Sequence, residues 1–141
     1  MKIYIFGNPL IESDSLPLKL LPKLKKEFAD IDFVVSDPNE DPFEEDAAPI
    51  IIDTVVGITD VVVLNLRDLA APQGKISPHD YDLGMYLLLK KKLGQIQKAV
   101  ILGLPAGISP KEAFPKLSKA IRAILLSKNE LRRRCKGHRR E

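Results

Sequence analysis

The chain has 141 residues, 45% hydrophobic and 29% charged, which suits one globular domain burying roughly two-thirds of its unfolded surface. Its apolar runs are interrupted by Asp53, Gly57 and Asp60, and MKIYIFGN holds too few apolar residues for a signal peptide. Membrane contact is therefore not expected. The single cysteine, Cys135, excludes an internal disulfide, and the expected location is cytoplasmic.

The net charge of +3 is unevenly spread. From Lys128 onward seven Lys or Arg face only Glu130 and Glu141, a segment charge of +5 that leaves the rest of the chain at −2. Residues 1–127 are read as one domain and 128–141 as a basic, flexible tail. With no aromatic and no folded basic face, that tail does not predict nucleic-acid binding.

In chain order, KIYIF at 2–6 is a short β-rich run ended by Gly7-Asn8-Pro9, a strand entering a loop. Leu16, Leu18, Leu20, Leu21, Leu24 and Phe28 then form the apolar stripe of an amphipathic helix. Ser13, Asp14 or Ser15 can cap it, Pro17 suits its first turn, and Pro22 is a potential kink. A second strand spans 31–35, and SDPNEDPFEEDAAP after it is an acidic loop with room for one helical turn. IIID at 50–53 is a third strand ending in an acid. Only residues 54–60 separate it from VVVLNL at 61–66, too few for a helical crossover, so these two strands are predicted to run antiparallel. RDLAAPQGKISP reads as a loop leading to His79, followed by the helix YDLGMYLLLKKKL with lysines at its C-terminal end. A fifth, fully apolar strand covers 99–103. From Pro110, Phe114, Leu117, Ile121, Ile124 and Leu125 recur at helical spacing behind a cap at Ser109.

Strands alternating with helices imply an α/β fold, a three-layer α/β/α sandwich around a mostly parallel, mixed sheet of about five strands. Sites in such folds lie beyond the carboxyl ends of the strands, where the loop at 7–15, Asp53 and the segment at 77–80 can converge.

Few residues there bear chemistry. Cys135 sits in the basic tail, and no serine shows a nucleophile-elbow pattern. GNPLIESDS has neither the Rossmann glycine spacing nor a Walker lysine. What remains is two carboxylates and an imidazole, Asp14, Asp53 and His79, whose oxygen and nitrogen donors suit a transition metal. Each also has a plainer reading. Asp14 is equally placed to cap a helix, Asp53 to close a strand in a turn, and His79 to cap its helix or face solvent.

GNPLIESD at 7–14, IIIDTV at 50–55, SPHDYDLG at 77–84 and LGLPAG at 102–107 resemble, in order, the motifs of the nickel–iron hydrogenase maturation proteases. The likeness covers residues 2–126. It implies an aspartyl-type endopeptidase that removes the C-terminal extension of a hydrogenase large-subunit precursor once nickel has been inserted. Asp14, Asp53 and His79 become the catalytic and nickel-binding residues, and Gly7 and Asn8 the substrate-binding ones. The nickel is carried by the substrate, and no intrinsic cofactor is expected. The first loop departs from the family's acidic pair and glycines, which makes Glu12 a rival to Asp14. The acidic SDPNEDPFEED replaces a glycine- and threonine-rich loop and is expected to shape substrate choice. Two other readings stay open on the sequence: a non-catalytic hydrogenase assembly factor of the same fold, and a nucleotide-binding or regulatory α/β module.

Overall fold

A computed structural model describes residues 1–43, 46–70 and 82–138. Strand β1 (Lys2–Ile5) is followed by helix α1 (Leu16–Glu27) and β2 (Asp32–Val35). After these come β3 (Ile50–Val55), β4 (Val62–Asn65), a short α2 (Leu66–Ala70), α3 (Asp82–Lys92), β5 (Val100–Pro105) and α4 (Pro110–His138). The five strands form one sheet in the order β2-β1-β3-β5-β4, with only β4 antiparallel to its neighbour. The expected α/β sandwich with a mostly parallel sheet is what the chain forms.

The sheet is apolar on both faces because alternate residues feed two cores. Ile3, Ile5, Ile50, Ile52, Leu102 and Leu104 join Leu20 and Leu24 of α1 and Leu117 and Ile121 of α4. Tyr4, Phe6, Ile51, Val55 and Ile101 join Leu66 and Leu69 of α2 and Leu83 and Leu87 of α3. Helices α1 and α4 are further tied by Glu27, whose Oε2 accepts from Ser118 Oγ at 3.3 Å and which pairs with Arg122. Pro22 does not end α1; it falls on the exposed side of the helix, where solvent can take the hydrogen bond it leaves unmade.

Three local features go beyond the sequence pattern. Strands β3 and β4 do run in opposite directions, but they are not partners, because β5 inserts between them. Residues 56–61 need cross only two strand spacings, about 10 Å, and β5 supplies an apolar neighbour to both. The loop expected from residue 67 begins as α2. Its start is fixed by a reciprocal capping box: Asp68 N–H donates to Asn65 Oδ1 at 3.1 Å, and Asn65 N–H to Asp68 Oδ2 at 2.8 Å. Helix α4 also continues beyond residue 127, through the basic segment to His138, and its residues 126–137 are exposed. No helix among the described residues is long and apolar enough to cross a membrane.

Tyr4 gives the fold an alkaline signature. Its hydroxyl donates to Asp46 Oδ2 at 3.1 Å, and burial together with that carboxylate pushes its pKa up to about 12. An unfolded tyrosine loses its proton near pH 10, so Tyr4 contributes stability below pH 10 that is lost as pH rises towards 12. Thermal unfolding at pH 8 and at pH 11 checks this. Tyr4→Phe is expected to show a smaller drop in Tm between the two than the wild type.

Candidate active-site cleft at the switch point

From β1 the chain turns to β2 on one side, then returns to β3 on the other. Loops leaving β1 and β3 therefore diverge, and a crevice opens outside the carboxyl ends of the two strands. A cleft of about 760 Å³ lies there. Residues 6–9 and Asp14 line it from the first loop, and residues 35–37 with Asn39 and Glu40 from the segment after β2. Asp53 and Thr54 enter from β3, and Asp82 and Leu83 from the start of α3.

The first loop is held by its own backbone. Phe6 N–H donates to Ile52 O at 3.0 Å, extending the ladder by one residue, and Asn8 N–H closes the loop on Asp14 O at 3.1 Å. Asn8 Oδ1 accepts from Leu10 N–H at 3.0 Å, and a single 3-10 turn over Glu12–Asp14 brings the chain back. Gly7 is required where the two ends meet, because a Cβ there would stand 2.9 Å from Asp14 O and 3.3 Å from Leu18 Cγ.

Ser15, not Asp14, takes the N-cap position of α1, and its hydroxyl turns back to Glu12 O at 2.9 Å. Asp14 lines the cleft instead. Burial raises its pKa above the usual carboxylate range, partly offset by the backbone N–H of Asn8. Glu12 is exposed and lies outside this cleft.

Asp53 was expected to end its strand, but β3 continues to Val55. The acid is therefore inside the ladder, opposite Gly103. It shares a face with Ile51 and Val55, only 8% exposed, and its Oδ1 accepts from Thr54 N–H at 2.8 Å. Aliphatic neighbours on both sides of it in the strand make a carboxylate an uncommon occupant of this position. Beside it Thr54 Oγ1 is buried, with no hydrogen-bond partner among the described residues.

The acidic loop reaches the cleft because Asp41 is fastened to α3. Its Oδ1 accepts from the Tyr86 hydroxyl and meets Lys90 Nζ at 2.7 Å, which hold its carboxyl below the ordinary range. Asp41 adopts a left-handed backbone (φ 49°), tolerable for aspartate. Phe43 then buries itself edge-on against Tyr4, with ring centroids 4.7 Å apart.

Of the residues singled out by sequence, Gly7, Asn8, Asp14 and Asp53 come together on one cleft, Glu12 does not, and His79 lies outside the described residues. Among the described residues no three His, Cys, Asp or Glu side chains converge to hold a metal. Sequence reasoning passed over Asp82 and Thr54. Asp82 offered only its place at a helix start, and Thr54 offered no signal.

No family model matches the sequence, and neither does any curated protein. The fold is that of solved endopeptidases. An endopeptidase from Escherichia coli superposes with a TM-score of 0.62 at 17% identity, over 91% of this chain and 94% of that one. The hydrogenase-maturating endopeptidase HybD from E. coli gives 0.59 at 18% identity, covering 92% and 93%. The [NiFe] hydrogenase maturation protease HybD from Thermococcus kodakarensis gives 0.53 at 16%, covering 88% and 99%.

Proposed function

We propose that this chain is an endopeptidase that removes the C-terminal extension of a nickel–iron hydrogenase large-subunit precursor, recognising the nickel the precursor carries. One observation carries the reading. Asp14 and Asp53, far apart in sequence, line a single cleft at the switch point of a fold shared with hydrogenase maturation endopeptidases. Two carboxylates on one cleft suit oxygen ligation of a divalent ion. His79 is the third ligand of the proposal. In the sequence it precedes Asp82, which lines the cleft, by three residues.

In this mechanism nickel is part of the substrate, held by precursor thiolates. Asp14, Asp53 and His79 fill its remaining positions and so anchor the scissile peptide beside the cleft. Anchoring of this kind removes as much as ~7–11 kcal/mol from a barrier in ideal cases. A water polarised by the ion or by one of the two carboxylates attacks the peptide carbonyl, and its proton passes to the leaving amine. A precursor without nickel has nothing for these ligands to grip and is refused.

Incubating the purified protein with nickel-loaded and nickel-free precursor, followed by intact-mass measurement, tests the proposal. Shortening of the loaded precursor alone is the expected result. A loaded precursor that stays full length while remaining bound would instead identify a non-catalytic assembly factor.

A further inference from the structure

Two segments that line the cleft come from distant parts of the chain, and one side chain ties them together. Residues 35–37, Asn39 and Glu40 belong to the segment after β2, Asp82 and Leu83 to the start of α3. Asp41 follows Glu40 directly, and its Oδ1 accepts from the Tyr86 hydroxyl and meets Lys90 Nζ at 2.7 Å. Asp82, Tyr86 and Lys90 are spaced four residues apart on α3 and so share one face of that helix. The face whose first residue reaches the cleft therefore holds Asp41 with the next two.

This tie differs from an ordinary surface ion pair. The Lys90 side chain is only 14% exposed, and its Nζ also donates to Gln95 Oε1 at 2.6 Å, which fixes its position. A pair shielded from solvent on one side is screened less than an exposed one. Two residues on, the Phe43 ring packs on Tyr86 with centroids 5.9 Å apart, and on the cleft-lining Phe6 at 5.8 Å. The backbone gives a second, independent sign. Among the described residues Asp41 alone, glycines aside, has a positive φ, 49°. Such a conformation persists where the surroundings over-determine it, and it clusters at active sites and ligand clamps.

We infer that Asp41 is a positioning residue for substrate: held by Tyr86 and Lys90, it sets the spacing between the segment after β2 and the start of α3, and with it the fit of the cleft to the precursor. The inference deepens the endopeptidase reading and rests on it for the identity of the substrate. Asp41 acts through its neighbours Asn39 and Glu40, which line the cleft, and touches no reacting atom. Without the tie the two segments sample many spacings, and affinity falls in proportion to the fraction that still fits. Asp14 and Asp53 stand on other elements, the first loop and β3, so the chemical step keeps its rate.

Three variants test this. In D41G the backbone keeps access to a φ of 49°, which glycine adopts freely, while the ties to Tyr86 and Lys90 are lost. D41N and K90M each remove the ion pair, and D41N keeps an oxygen for the Tyr86 hydroxyl. Hydrogen–deuterium exchange reads the tie directly: amides of residues 36–43 should exchange at least about tenfold faster in D41G than in the wild type. In D41G the KM for nickel-loaded precursor should rise at least about tenfold with kcat within about twofold, and in D41N and K90M about threefold. D41N/K90M should lose no more than either variant alone, because both remove the same contact. Unchanged exchange in D41G, an unchanged KM, or a fall in kcat at constant KM would overturn the inference. If the wild type binds loaded precursor without cutting it, the endopeptidase reading alone fails, and the calorimetric Kd of the same variants takes the place of KM. A wild type that neither binds nor cuts overturns both.

Discussion

Asp53→Asn is expected to remove processing of nickel-loaded precursor by at least roughly 10²–10³-fold while the protein stays folded. The amide keeps the side-chain volume and the oxygen that accepts from Thr54 N–H at 2.8 Å, while the charge and the stronger oxygen donor are lost. Asp14→Asn should fall equally far in activity and behave differently in stability. Burial raises the Asp14 pKa, so ionisation is less favourable in the folded state than in the unfolded one. For an acid shifted upward, stability is fullest at low pH and is lost as pH rises through its folded pKa. At pH 7 the native carboxylate therefore costs stability, and the Asn variant should show a higher Tm than the wild type; at pH 3 the advantage should vanish. A dead enzyme with a raised Tm is what a functional acid leaves behind. A dead enzyme with a lowered Tm at pH 7 would return Asp14 to a structural role.

Gly7→Ala should cut processing by about 10²-fold with little loss of fold. A methyl group there would stand 2.9 Å from Asp14 O, a backbone atom that cannot rotate away. Relief comes only by moving the Asp14 peptide, which stretches the Asn8 N–H to Asp14 O bond that closes the loop. A displacement of about 1 Å at a positioned group is enough for that loss of rate. The overpacking itself costs about 1–3 kcal/mol, a fall in Tm of several degrees. Steady-state assays on precursor with a thermal melt of the same sample separate the two effects. Unchanged processing would mean that the loop does not position Asp14 for chemistry.

Both effects turn on residues whose neighbourhood the sequence described only in part. The five strands, α1, α3 and the start of α4 were legible because apolar residues recur at two-residue or helical spacing with glycine, proline and lysine at the ends. Helix α2 was hidden inside a segment read as strand and loop, though its Asn65 and Asp68 stand at the spacing of a capping box. Five residues are too few for a periodic stripe to declare itself. Asp53 stood out as a charge directly after three aliphatics, while its true place, two residues inside β3 and opposite Gly103, required the register with β5.

Local chemistry in the sequence determined which segments become strands and helices, and which few side chains have no use in packing. Those choices depend on neighbours within a turn or two, and a linear pattern records them. Tertiary structure decided that β5 separates β3 from β4, that Asp14 rather than Glu12 lines the cleft, and that the acidic loop borders it. It also brought Asp82 and Thr54 to the same place. These features arise from contacts between distant segments, such as Asp41 with Tyr86 and Lys90. Their energies depend on the final packing, and no periodicity in the chain encodes them.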